Sequence, residues 1–131
     1  MKTEYDISTK EEKEVSYIDF VDTILDKLGF NKANNGTRLL REFIIYLYIK
    51  NPLEIKIKDE INAFIKDKKI KISYGNFKER VKYAILNADN KKMQEHFYEV
   101  FRIDYDYYFL SVKQIITYIV NAMERNKFKK I

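Results

Sequence analysis

Apolar residues recur at intervals of three and four along most of this chain, the spacing that places them on one face of an α-helix. Ser16 opens the first such stretch as a helix-capping residue type, and Gly29 closes it with the conformational freedom that a left-handed helix end requires. We therefore predict a first helix from Ser16 to about Leu28. Its apolar face comprises Tyr17, Phe20, Val21, Ile24, Leu25 and Leu28.

The stretch from Thr37 to Lys50 follows a polar linker and is apolar on nearly every side. A helix with so little polar surface is expected at the centre of a domain, packed on most of its faces. Pro52 is expected to stop it. Its unbroken apolar run, Phe43 to Ile49, has only seven residues, far too few to cross a membrane.

The chain after Pro52 predicts four more helices. Two short β-branched stretches, Leu53 to Ile57 and Ile70 to Ile72, alternate with charge but are too short to favour strands, although the second could form a small wing or an extended turn. Ser111 and Gln114 match a capping box at the start of the last helix. The predicted spans are Lys58 to Lys66, Ser73 to about Ala88, Lys91 to Phe101 and Ser111 to Asn126.

Composition agrees with one all-α domain of about six helices. The chain has 131 residues, of which 46% are hydrophobic and 34% charged, as in a single globular domain. Three glycines and one proline are too few for many short strands, and the absence of cysteine leaves no disulfide or zinc framework. No N-terminal apolar stretch suggests a secretory signal, so we expect a cytoplasmic protein without a membrane partner.

Charge is distributed unevenly along the chain. Residues 1–15 contain three lysines and five acids and show no apolar stripe, so we expect a disordered acidic lead-in before a single helical DNA-binding domain at 16–131. Residues 66–82 contain seven bases and two acids. Positive charge concentrated on one element indicates a polyanionic partner, although a lysine-rich solvated surface would look similar.

A short helix, a compact basic connection and a helix with a polar outer face together indicate a helix-turn-helix. The buried stripe of the second helix comprises Phe77, Val81, Ala84, Ile85 and Ala88. Its opposite face would lie in the major groove of double-stranded DNA, where an α-helix fits. We expect base contacts from Gly75, Asn76, Glu79, Lys82 and Tyr83, and phosphate contacts from Lys66, Lys68, Lys69, Lys71, Lys78 and Arg80.

The chemistry of three of these side chains suits base recognition. Asn76 can form a bidentate pair with adenine, Lys82 can donate to guanine, and Glu79 can accept from cytosine. Gly75 would allow the start of the helix to approach the phosphate backbone closely.

Several segments resemble, in order, the C-terminal DNA-binding effector domain of the master sporulation response regulator of endospore-forming bacteria. The similar segments are Ile24 to Gly29, the pattern Gly36-x-x-x-Leu40-Arg41-Glu42-x-Ile44-x-x-x-Tyr48, Phe77 to Ile85, and Gln114 to Met123. Together they extend over about four-fifths of the chain. The family's receiver domain is absent, and the connection 67–73 is longer and more basic than the family's.

The resemblance implies an all-helical transcription regulator that binds short DNA boxes, often as a head-to-tail pair on tandem sites. The partners that the resemblance implies are duplex DNA, a second copy of the chain and RNA polymerase. A free-standing copy could equally serve a plasmid or phage in replication, partition or transfer.

Two other classes compete with DNA binding. An enzyme is not expected, because no glycine-rich loop is present and acid–base chemistry would have to depend on His96 alone; no cofactor or metal is expected either. A helical protein-interaction module without DNA affinity remains open. Such a module should carry apolar residues at the centre of the outer face of the 73–88 helix, where only Leu86 is apolar, and this favours DNA.

Overall fold

The computed structural model describes residues 10–105 and 110–129, which form six α-helices and, within those ranges, no β-strand. The all-helical prediction is confirmed for this part of the chain. The helices are α1 (Lys10–Lys27), α2 (Asn35–Lys50), α3 (Ile57–Asp67), α4 (Tyr74–Leu86), α5 (Asn90–Phe101) and α6 (Val112–Lys129).

The first helix begins earlier than predicted. α1 starts at Lys10 rather than at Ser16, so residues 10–15 of the expected disordered lead-in are helical; residues 1–9 lie outside the described ranges. The physical reason is that Lys10–Val15 consists almost entirely of lysine and glutamate, which are good helix formers.

The predicted capping signals are present at three helix ends. The Ser73 hydroxyl accepts a hydrogen bond from the Asn76 backbone N–H at 3.1 Å, which starts α4. Ser111 and Gln114 bond to each other's backbone N–H at 3.0 and 2.9 Å, which completes the capping box before α6. Gly29 ends α1 with a left-handed φ of 85°.

α2 is the central helix, as its sequence predicts, and packs against α1, α3, α4 and α6. Its Phe43 lies fully buried between Phe64 of α3 and Phe77 of α4. The three rings form edge-to-face pairs, with centroids 5.4 Å apart for Phe43–Phe64, 5.4 Å for Phe43–Phe77 and 6.0 Å for Phe64–Phe77. We call this cluster the phenylalanine triangle. It joins the three helices at one point.

Two polar contacts attach α3 to α2. Lys50 donates to Glu60 at 2.7 Å, and the Tyr46 hydroxyl donates to Asp67 at 2.9 Å. Burial and the hydrogen bond to Asp67 both raise the pKa of Tyr46, so its hydroxyl stays protonated as the donor. Because the contacts lie in the first and last turns of α3, they set the direction in which this helix runs toward the 68–73 connection.

The crossing of α2 and α4 depends on a glycine. A Cβ added to Gly36 would lie 1.9 Å from the backbone oxygen of Arg80, well inside any van der Waals separation. Only glycine therefore allows α2 to start directly against the middle of α4.

α1, α5 and α6 complete the core on the other side of α2. The carbonyl of Gly29 accepts from the Asp89 N–H at 2.8 Å, so the end of α1 contacts the start of α5. The Phe97 and Phe101 rings of α5 lie 6.1 and 5.5 Å from the Tyr118 ring of α6. Within the described residues, no helix combines the length and apolar character that a membrane crossing requires.

We predict that Gly36→Ala destabilises the protein by at least about 2–3 kcal/mol, because the added methyl meets backbone that cannot rotate away and the helices must separate. Chemical denaturation of both proteins measures the difference.

Gly75→Ala is the matched control. Gly75 lies within α4, and an added Cβ would meet nothing closer than the Ser73 hydroxyl at 3.8 Å. Alanine at this position should stabilise the protein by about 0.5–1 kcal/mol, because alanine has a higher helix propensity than glycine. Equal effects of the two substitutions would contradict the close α2–α4 contact.

Candidate nucleic-acid interface

The outer face of α4 carries all five predicted base-contacting residues, and every one of them is exposed. Their spacing places them along one side of the helix, over about 12 Å from Gly75 to Tyr83 at 1.5 Å per residue. The opposite side is held in the core by Phe77, Val81, Ala84 and Ile85. The exposed series comprises Gly75, Asn76, Glu79, Lys82 and Tyr83.

The six predicted phosphate-contacting residues are likewise exposed and come from three consecutive parts of the structure. Lys66 lies in the last turn of α3, and Lys78 and Arg80 lie on α4. The connection between the helices supplies Lys68, Lys69 and Lys71. Among the ion pairs of the described residues, none involves any of these six side chains.

The two acids of the basic segment occupy different places. The Asp67 carboxylate accepts the hydrogen bond from Tyr46, which holds it toward α2. Glu79 is exposed on the outer face of α4 between Asn76 and Lys82. Residues 66–82 thus expose their basic side chains together with the carboxylate of Glu79.

The end of α3 forms a Schellman motif. The Ile70 N–H bonds to the Ile65 carbonyl at 3.0 Å, and the Lys69 N–H bonds to the Lys66 carbonyl at 3.2 Å. Ile65 and Ile70 both pack against the core, which supplies the usual apolar contact of this motif. Lys69 takes the left-handed position with φ 55°, where glycine is usual. This turn fixes the backbone from which three of the lysines project.

Two residues outside the predicted set, Tyr74 and Lys58, contact this group of side chains. Tyr74 is the first residue of α4, and the Lys58 and Lys78 ammonium groups each lie 5.6 Å from the centroid of its ring. The Tyr74–Lys78 contact follows from their i,i+4 spacing, which the sequence displays. Lys58 is on α3 and sixteen residues earlier, so no local pattern indicates its contact with Tyr74.

Two exposed apolar side chains lie toward the C-terminal end of α4. Tyr83 is 60% exposed and Leu86 is 58% exposed. The N-terminal half of the outer face, by contrast, is polar and basic.

A separate groove of about 190 Å³ lies between α1, α5 and α6. Its Lys27 pairs with Glu99 at 2.6 Å, and its Arg125 donates to the Val100 carbonyl at 2.9 Å. The hydrogen bond from Lys27, together with the contact to His96, lowers the pKa of Glu99 to about 2. Because Lys27 and Arg125 both bind protein oxygens, this groove offers less to a ligand than the face of α4 does.

His96 is partly exposed, and its Nδ1 lies 2.9 Å from Glu99 Oε1. In the described part of the chain, no three histidine or acidic side chains are grouped closely enough to hold a metal ion.

Comparisons with protein-family models, with curated proteins and with solved structures find no match. The geometry and charge of α3, α4 and their connection are therefore the structural basis for inferring a function.

We predict that Lys69→Gly stabilises the protein by about 0.5–1 kcal/mol. Glycine removes the strain of a left-handed backbone from the folded state, and this gain is larger than the free energy by which its added entropy favours the unfolded chain. Thermal or denaturant unfolding of the wild-type protein and the variant measures this change in stability. Lys69→Ala keeps the backbone penalty and should leave stability nearly unchanged, so equal stabilisation by both substitutions would contradict the assignment of strain.

Proposed function

We propose that this protein binds double-stranded DNA through α4, with α3, the 68–73 connection and α4 acting as a helix-turn-helix. The observation that carries the proposal is the division of α4 into a buried apolar side and an exposed side bearing Asn76, Glu79 and Lys82. A helix anchored in this way can enter the major groove with its side chains directed at base edges.

The positions of the polar residues suit this role. Asn76 lies in the first turn of α4, the part of a recognition helix that commonly reaches the bases. Its backbone N–H is already satisfied by Ser73, so the exposed amide side chain is separate from the cap. Asn76 would read adenine, Lys82 guanine and Glu79 cytosine.

The surrounding bases supply the sequence-independent part of binding. Lys66, Lys68, Lys69 and Lys71 precede the helix, and their exposure without ion-pair partners among the described residues leaves their charge available to phosphates. Such contacts fix orientation on the duplex and carry no base preference.

A role in transcription is supported by the resemblance to the sporulation regulator's effector domain. The proposal accordingly includes binding to short tandem boxes by two copies and contact with RNA polymerase. The longer basic connection separates this chain from that family, and replication, partition or transfer of a plasmid or phage would use the same DNA-binding face.

Protein binding is the second candidate, favoured by the exposed Tyr83 and Leu86 on α4. These two side chains provide an apolar contact without involving the basic N-terminal half. The pair Leu86→Ser and Lys71→Gln separates the functions. Severalfold weaker duplex binding in Lys71→Gln, with wild-type duplex binding in Leu86→Ser, supports DNA binding. Unchanged duplex affinity in Lys71→Gln would favour the protein-interaction candidate.

We predict that duplex affinity falls steeply with salt. Five to seven phosphate contacts imply a log–log slope of roughly −4.5 to −6, because each neutralised phosphate releases counterions. Binding titrations at several salt concentrations, with duplex and single-stranded DNA in parallel, measure this slope. Absent or salt-insensitive duplex binding would contradict the proposal.

We predict different effects for a base-contacting and a phosphate-contacting residue. Asn76→Ala should relax preference at one base pair, at a cost of about 1–3 kcal/mol for the preferred sequence. Lys69→Ala should weaken binding to all sequences alike. Selection of bound duplexes from a random pool measures both effects, and the reverse result would show that α4 does not read the bases.

A further inference from the structure

The Tyr74 ring brings together two positive charges from different helices. Lys58 projects from the first turn of α3, and Lys78 projects from the second turn of α4. Each ammonium group lies 5.6 Å from the ring centroid, so the two are at most about 11 Å apart. Both distances are within the range of a cation–π contact.

Acids of the described residues form no ion pair with these two lysines. Glu60, two residues after Lys58, is buried and pairs with Lys50 instead. Among the ion pairs of the described residues, none involves Lys58 or Lys78. Two like charges near one ring form a local excess of positive charge, which an anion beside either lysine would reduce.

The pair also lies beside the proposed DNA-binding face. Tyr74 directly follows the Ser73 cap of α4, one residue before Gly75 and two before Asn76. A backbone phosphate at the start of the recognition helix would therefore lie next to the ring and its two ammonium groups.

We infer that Lys58, positioned by the Tyr74 ring together with Lys78, is a further contact to the phosphate backbone of duplex DNA. The inference depends on the proposed function and extends the interface from the basic segment to the beginning of α3. Tyr74 acts as a positioning residue, because its ring orients both lysines while its partly buried body packs against the core.

The test compares the salt dependence of duplex binding in wild-type protein and in Lys58→Gln. Loss of one phosphate contact should make the log–log slope about 0.9 less negative and lower affinity severalfold for every sequence. Lys58→Arg keeps the charge and should restore the wild-type slope. An unchanged slope in Lys58→Gln would overturn the inference while leaving the proposed function intact; failure of wild-type protein to bind duplex would overturn both.

Arg102→Gln is the matched control for net charge. Arg102 is exposed and lines the groove between α1, α5 and α6, to which neither α3 nor α4 contributes. This variant should keep the wild-type slope. If it matched Lys58→Gln, the effect would reflect overall charge and the inference would fail.

Two Tyr74 variants test the role of the ring. Tyr74→Phe keeps the aromatic face and should bind as wild type does, whereas Tyr74→Leu keeps apolar bulk but loses the cation–π contacts. In the Tyr74→Leu background, Lys58→Gln should have a smaller effect than in wild type, since the lysine is no longer positioned. The positioning role would be overturned if the effects of Tyr74→Leu and Lys58→Gln on duplex affinity were strictly additive. It would also be overturned if Tyr74→Phe and Tyr74→Leu lost the same duplex affinity. Circular dichroism confirms that each variant is folded.

Discussion

The contact of Phe43, Phe64 and Phe77 is the interaction on which the arrangement of this protein depends. Each ring comes from a different helix, and each is fully buried. Aromatic rings in edge-to-face contact have restricted relative orientations, so the triangle fixes how α2, α3 and α4 rotate about their own axes. Because Phe77 must face this cluster, the residues on the opposite side of α4 must face solvent. The proposed recognition surface is thus a consequence of core packing.

Contacts around the triangle determine which charges reach that surface. Tyr46 engages Asp67 and Lys50 engages Glu60, so two carboxylates of α3 are held against α2. None of the ion pairs of the described residues involves the six bases Lys66, Lys68, Lys69, Lys71, Lys78 and Arg80. Gly36 brings α2 directly against α4, which leaves α4 supported along its inner side while its outer side stays open. Packing therefore concentrates positive charge where a polyanion could bind.

Much of this organisation could be predicted from local signals. The apolar period identified the buried side of α4, and the Ser73 and Ser111 caps are where their sequence patterns indicate. The Ser16 signal predicts too late a start for α1, because the lysine- and glutamate-rich residues before it have high helix propensity. Contacts between distant residues had no such signal: Lys58 reaches Tyr74 only because α3 folds back beside α4.

By itself, the sequence determined the all-helical class, the central place of α2 and the amphipathic division of α4, because these follow from the spacing of apolar residues along one helix. Only the tertiary structure decided which helix crosses α4, which acids are held by α2 and which lysines share one ring. Those outcomes depend on side chains far apart in the chain meeting in space, and a helical period carries no information about the rotation of one helix against another.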